Sequence, residues 1–205
     1  MTHNQLFDTR EVFYMNISDV LNSRRTIRKF KQTPLSEEQL LRYVDMARLA
    51  PSAGNIQPLK YIVVQSKEMS EKIFPLVKWA AYLAPDYNPK EDERPTAYVV
   101  VCADISIRKS GYEMDAGAAV ENLIVSAWAD GVGSCWMGAV DREKISHILN
   151  LSDNLVVLCV VSMGYPAETP QEVEILKDNI KYYLDDSNEL CVPKRGFEEV
   201  LINIV

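Results

Sequence analysis

Histidine is scarce in this chain: His3 and His147 are the only two in 205 residues. His3 sits in a polar terminus, and His147 falls in a segment, 141–149, that reads as a surface helix. Little is left for a histidine-ligated zinc site or a Ser-His-Asp triad. The patterns G-x-S-x-G and C-x-x-C are both absent. The four cysteines, Cys102, Cys135, Cys159 and Cys191, are far apart and mostly in apolar contexts. They read as reduced, buried thiols of a cytoplasmic protein rather than as disulfides or metal ligands. The longest apolar run, 155–161, is far short of the roughly 20 residues that cross a bilayer. Residues 1–13 carry Asp8, Arg10 and Glu11 with no apolar centre, so they do not read as a signal peptide. A broad basic surface is missing as well. The formal net charge of -7 and a pI near 5.0 argue against a nucleic-acid partner. With so few acid–base side chains of the usual kind, any chemistry here is expected from a bound cofactor.

What is present fits one globular domain, 16–205, behind a loosely ordered lead-in, 1–15; the chain is 47% hydrophobic and 25% charged. Residues 16–23 read as a short helix capped by Asn16 or Ser18. Ser36 and Gln39 fit a capping box, and Leu40, Val44 and Ala47 continue it at helical spacing to about Arg48. Helices are also expected over 70–76, 112–130 and 141–149. Strands are expected over 61–65, 98–102 and 156–163, and 199–205 is β-prone to its last residue. The almost wholly apolar 98–102 predicts a strand buried on both faces. The 112–130 segment is apolar on most sides, which predicts a core helix that also serves a subunit interface. Residues 85–95 are polar and proline-rich and read as a mobile loop. Alternating helices and strands give an α/β or α+β class with a mostly buried sheet.

Three segments stand out chemically. Arg24, Arg25 and Arg28 lie within five residues of an acidic chain. Three guanidiniums repel one another unless an anion sits between them. A phosphate, matched by paired hydrogen bonds, acidic side chains from elsewhere in the fold, and a solvated helix C-terminus all remain open on the cluster alone. The second segment, 51–58, places Ser52, Asn55 and Gln57 between prolines. This suits hydrogen bonding to a polar planar ligand, although taken singly an ordinary helix-to-strand connection is the simpler reading. The third segment is Gly131 to Ala139, Gly-Val-Gly-Ser-Cys-Trp-Met-Gly-Ala. It does not make G-x-G-x-x-G and follows a helix, so a dinucleotide-binding βαβ unit is not expected. A buried strand and turn is the simpler reading. A ligand approaching the backbone at Gly138 is the functional one.

Taken together, Ser-Arg-Arg-Thr-Ile-Arg-Lys-Phe followed by Pro-Ser-Ala-Gly-Asn-Ile-Gln-Pro resembles the nitroreductase family of FMN-dependent oxidoreductases. The likeness continues through Asp115 to Leu123, Gly133 to Gly138, Met163-Gly164-Tyr165-Pro166 and Pro193-Lys194-Arg195, over roughly residues 16–203. It implies a central, mostly antiparallel sheet wrapped by helices, in an intertwined homodimer whose C-terminal strands are exchanged. It also implies two FMN molecules at the subunit interface, and NADH or NADPH as electron donor. Hydride would pass in a ping-pong sequence through flavin N5 to a nitroaromatic, quinone or similar acceptor. By position, Arg24, Arg25, Thr26 and Arg28 match the first flavin-binding stretch, with Arg24 and Thr26 at the phosphate and Arg28 near N1 and O2. Pro51, Ser52, Ala53, Asn55 and Gln57 match a loop given to the flavin of the other subunit. Cys135, Trp136, Met137 and Gly138 match the segment near N5 and O4, and Lys194 and Arg195 match a basic pair at the phosphate. Met137 stands where several branches of the family carry glutamate. Trp79, Tyr82 and Tyr87, near the 85–95 loop, read either as the roof of a substrate cavity or as ordinary core and surface aromatics. Specialised branches of the family, such as reductive dehalogenases or flavin-consuming enzymes of cobamide synthesis, are the alternatives. So is a flavin-binding redox sensor with little turnover.

Overall fold

The main sheet has four antiparallel strands, β1 (Leu59–Val64), β2 (Ala97–Asp104), β3 (Gly133–Met137) and β4 (Leu155–Gly164), in the order β1-β2-β4-β3. The computed structural model describes residues 16–83, 85–175 and 179–205. The lead-in expected over 1–15 lies outside them. β2 is buried from Ala97 to Ala103, as its apolar run predicts. Because side chains alternate across a strand, Ala97, Val99 and Val101 enter one core cluster, and Tyr98, Val100 and Cys102 enter another on the opposite face.

The first core is closed by two helices, α2 (Glu37–Arg48) and α4 (Glu113–Ala129). α2 begins where the sequence places it: Ser36 Oγ accepts from Gln39 N–H at 3.1 Å, and Gln39 Oε1 accepts from Ser36 N–H at 3.0 Å. Leu40, Tyr43 and Ala47 then face Leu123, Ile124 and Ala127 of α4. The second core is covered by α3 (Lys67–Ile73), Trp79 and α5 (Arg142–Ile148), and by Ile27 and Phe30 just after α1 (Ile17–Ser23). Asn16 caps α1, accepting from Asp19 N–H at 3.1 Å, and Asp141 caps α5, accepting from Lys144 N–H at 3.1 Å.

Three elements differ from the sequence expectation, and one for which two readings stood open is decided. The helix expected over 70–76 starts earlier, at Lys67, because Ser66 Oγ accepts from Met69 N–H at 3.3 Å, and it tightens to a 3-10 turn at Phe74–Leu76, where Pro75 cannot donate. Gly133–Met137 forms a strand, the simpler of the two readings. The polar stretch after Glu168 contains β5 (Gln171–Glu174) and β6 (Tyr183–Leu184), which pair with β7 (Leu190–Lys194) as a second, three-stranded sheet. These strands are short and largely exposed, so they lack the apolar alternation that marks a strand in sequence. Finally, the β-prone end forms a short helix, α6 (Phe197–Val200), followed by irregular backbone, with Ile202 98% exposed. A terminal strand needs a sheet edge to pair with, and residues 201–205 meet none among the described residues.

Candidate functional site

The three arginines lie in a segment that leaves α1 in extended form and docks beside β3. Thr26 bridges Ser134 in parallel sense, and Ile27 N–H donates to Ser134 O at 2.9 Å. Further along, Lys31 N–H donates to Tyr165 O at 2.8 Å and Ala167 N–H to Lys29 O at 2.9 Å. Ile27 and Phe30 are fully buried beneath the segment. Two glycines make room for them: Gly133 and Gly164 pair across β3 and β4. A Cβ on Gly133 would lie 2.7 Å from Ile27 Cγ1, and one on Gly164 would lie 2.9 Å from Phe30 Cδ1. The apolar members of Arg-Arg-Thr-Ile-Arg-Lys-Phe thus anchor the segment and leave the guanidiniums on its outer side.

Each guanidinium has a different environment. Arg24 Nε is 3.8 Å from Glu121 of α4, whose side chain is half exposed. Arg25 pairs with Glu172 of β5 and donates from Nη1 to Arg24 O at 2.7 Å, while its Nε is buried with no hydrogen-bond partner. Arg28 lies 4.7 Å over the Tyr182 ring, and its backbone N–H donates to Glu168. Glu168 also accepts from Lys29 N–H at 3.2 Å and from the Tyr87 hydroxyl. It therefore ties the loop around Tyr87 to the arginine segment. Lys29 Nζ completes the tie, lying 4.7 Å from the Tyr87 ring and 3.4 Å from Glu93. Burial and the Glu168 carboxylate both push the Tyr87 phenol above its ordinary range. Neither Glu168 nor Glu172 is singled out in the sequence. The only cue is an acid just beyond Gly164-Tyr165-Pro166.

Along β3 the side chains alternate. Cys135 and Met137 point into the second core, and Trp136 is 45% exposed on the other face against Gly117 of α4. Burial pushes the Cys135 thiol up to about 11, with Arg28 opposing it. Cys135 and Met137 therefore offer a ligand their backbone rather than their side chains. Gly138 has open space where a Cβ would be. Its carbonyl accepts from Arg142 Nη2 at 2.9 Å, and the next residue's carbonyl accepts from Lys78 N–H at 3.1 Å, which brings Trp79 close to the end of β3.

Residues 51–57 form a tight loop at the start of α4. Ser52 Oγ donates to Asp115 at 2.7 Å, Ala53 N–H donates to the same carboxylate at 3.1 Å, and Gln57 N–H donates back to Ser52 Oγ at 2.9 Å. Gly54, Asn55 and Gln57 have φ of 62°, 56° and 56°, a left-handed region in which glycine and asparagine are tolerated best. Asp115 is buried, and the Ser52 hydrogen bond, with Ala53 N–H and Arg108, holds its carboxyl below the usual range against the cost of burial. A cavity of about 200 Å³ lies between Pro51, Ser52, Gln57 and Asp115. Asp115 and Glu121 are six residues apart on α4, about 9 Å along the axis and on different sides. Within one chain, then, α4 carries both the loop and Arg24 without bringing them together. Lys194 and Arg195 are exposed, and Arg195 pairs with Glu199 at 2.9 Å rather than with the arginine segment. Of the roof aromatics, Trp79 and Tyr87 are 5% exposed, whereas Tyr82 is half exposed and packs on Tyr182 at 4.9 Å. Among the described residues there is no cluster that would hold a metal ion, and no helix long and apolar enough to cross a membrane.

A family model described as "Nitroreductase family" matches residues 21–165. A protein of Archaeoglobus fulgidus named "Putative NADH dehydrogenase/NAD(P)H nitroreductase" is 35% identical over 156 residues, which is 73% of this chain and 84% of that protein. A solved nitroreductase family protein of Clostridium novyi superposes with a TM-score of 0.62 at 28% identity, covering 74% of this chain and 87% of its own. A Desulfovibrio desulfuricans structure solved with FMN shares the fold at a TM-score of 0.69 and 18% identity, covering 93% of this chain and 98% of its own. The chain belongs to the nitroreductase family.

Proposed function

We propose that this family member is an FMN-dependent NAD(P)H oxidoreductase that reduces a nitroaromatic, quinone or similar small acceptor as a homodimer. The observation that supports this reading is the docking of Arg24–Arg28 beside β3, with Thr26 against Ser134, on the strand that leads to the open backbone of Gly138. The residues fit the cofactor. Arg25 Nε is a buried donor with no partner, and an anionic oxygen satisfies it. The acids now at Arg24 and Arg25, Glu121 and Glu172, are half-exposed side chains that a phosphate displaces at little cost.

FMN, held there, would supply the two-electron chemistry between a nicotinamide and the acceptor. The chain supplies binding and electrostatics. Arg24, Arg25 and Thr26 hold the phosphate, with Lys194 or Arg195 as a further cation. Arg28 balances negative charge at the pyrimidine end of the ring, and Glu168 fixes its backbone. Gly138 lets the ring approach the backbone, while Trp136 and the Tyr82–Tyr182 pair bound the space beside it. Pro51, Ser52, Ala53, Asn55 and Gln57 serve the flavin of the other subunit. The separation of that loop from Arg24 within one chain supports this. α4 and the exposed apolar tail, Leu201, Ile202, Ile204 and Val205, are the surfaces assigned to the dimer.

The test is anaerobic titration of purified protein with NADH and with NADPH, followed by nitro, quinone and halogenated acceptors. Yellow protein that bleaches and is reoxidised by an acceptor is the expected result. Colourless protein that fails to bind added FMN overturns the reading, and yellow protein that neither nicotinamide bleaches points to a redox sensor instead.

A further inference from the structure

Arg108 lies in the link between β2 and α4 and is one residue removed from the 51–57 loop: it meets Asp115, and Asp115 meets the loop. Its guanidinium is fixed at two points. Nε donates to Ser110 O at 2.8 Å, and Nη1 donates to Asp115 Oδ2 at 3.4 Å. Nη2 rests against Gly111, where a Cβ would come within 2.9 Å of it, and the φ of 74° there favours glycine as well. The turn that delivers Arg108 is itself pinned. Arg108 N–H donates to Asp104 O at 3.1 Å, and Asp104 Oδ1 accepts from Ser106 N–H at 3.0 Å and from Asn154 Nδ2 at 2.9 Å.

The loop needs such a fastening. Residues 53–57 are all exposed, so apolar packing does not hold them. Asn55 and Gln57 are both left-handed, which costs free energy, most of all at Gln57. Against that cost stand three hydrogen bonds that all run back to one carboxylate: Ser52 Oγ and Ala53 N–H donate to Asp115, and Gln57 N–H donates to Ser52 Oγ. A buried carboxylate is costly unless donors and a cation meet it. Among the described residues, Arg108 is the cation paired with Asp115. With Ser52 and Ala53 engaged inward, the loop presents the amides of Asn55 and Gln57, joined by Gln57 Nε2 donating to Asn55 Oδ1 at 3.0 Å.

We propose that Arg108 is a positioning residue for FMN binding: it acts through Asp115 to hold the 51–57 loop, with Asn55 and Gln57 left-handed, in the form that serves the flavin of the other subunit. The proposal rests on the assignment of that loop to FMN. A purely structural ion pair stabilises the domain and leaves the cofactor alone. A positioning pair changes FMN affinity, and does so only while Asp115 is there to transmit it.

The test is a double-mutant cycle on the full chain with Arg108→Met, Asp115→Asn and the two combined, read by fluorescence titration with FMN and by hydrogen exchange. Arg108→Met keeps much of the apolar stem and is expected to weaken FMN by at least about threefold, with faster exchange over 52–57 and none in β2. In the Asp115→Asn background the same change has an effect of less than about twofold, because the link to the loop is already cut. Arg108→Lys, which keeps a charge without the planar fork, falls between the two and runs the same cycle with the least disturbance of folding. An equal loss of FMN affinity in both backgrounds overturns the proposal, and so does unchanged exchange over 52–57. Unmutated protein that binds FMN while Arg108→Met and Arg108→Lys bind it equally well overturns the proposal alone. Unmutated protein that binds no FMN overturns the assignment of the loop, and the proposal with it.

Discussion

Gly133 has no Cβ because Ile27 Cγ1 occupies the place where one would be, 2.7 Å from the ideal position. The arginine segment lies down on the sheet only because of that vacancy and its counterpart at Gly164 under Phe30. Gly133→Ala or Gly164→Ala therefore forces Ile27 or Phe30 outward and destabilises the protein by about 1–3 kcal/mol. Urea denaturation measures this, and an unchanged midpoint in both variants refutes the packing account. Gly138→Ala is the contrast: open space surrounds it, so stability changes by no more than about 0.5 kcal/mol while FMN affinity falls.

Arg24→Ala removes a charged donor from the phosphate and weakens FMN by about 1.5–3 kcal/mol. Glu121→Ala removes the acid 3.8 Å from Arg24, so FMN binding is unchanged or tighter. Fluorescence titration of both variants separates a phosphate site from a purely structural ion pair. Equal weakening in the two variants favours the ion pair.

Ser52 and Asp115 join the 51–57 loop to α4. Ser52→Ala leaves a buried carboxylate oxygen short of a donor and costs about 1–3 kcal/mol. The folded-state pKa of Asp115 lies below its ordinary value, so its stabilising effect is present above the unfolded pKa and is lost as pH falls through the folded one. Asp115→Asn should flatten the acid limb of the stability–pH curve. An acid limb identical to that of the unmutated protein contradicts this assignment.

All four cysteines are buried. Burial pushes Cys102 up to about 12 and Cys135 and Cys159 up to about 11, so at neutral pH almost no thiolate forms at these three. Maleimide labelling read by mass spectrometry should leave Cys102, Cys135 and Cys159 unmodified in native protein and modify them in guanidinium. Rapid native labelling of Cys135 would mean that β3 opens easily.

Tyr87→Phe deletes the hydroxyl that Glu168 holds. Stability should fall by about 1–2 kcal/mol, and hydrogen exchange should rise across 85–93 more than elsewhere. Uniform exchange across the chain would show that Glu168 does not fasten this loop.

Much of this organisation is legible in the order of residues. The capping box at Ser36 and Gln39, the doubly buried β2 and the long apolar α4 follow from local chemistry and periodicity, and each is where that chemistry places it. The likeness to a flavin family is carried by short motifs, because a loop that binds a phosphate or a ring needs particular residues at adjacent positions. Glu168 and Glu172 are different. Their neighbours in space are more than 100 residues away, at Arg28 and Arg25, and nothing local distinguishes them from solvated acids. The second sheet was hidden for the same reason, since short exposed strands carry no pattern until they pair.

The sequence by itself determined the doubly buried β2, the helix caps at Asn16, Ser36 and Asp141, and the family, all of which depend on neighbours along the chain. Only the tertiary structure decided that two glycines make the bed for Ile27 and Phe30, that Met137 turns inward while Trp136 turns out, and which acids meet Arg24 and Arg25. Those outcomes depend on which face of one element meets which face of another, and that is set when the chain folds back on itself.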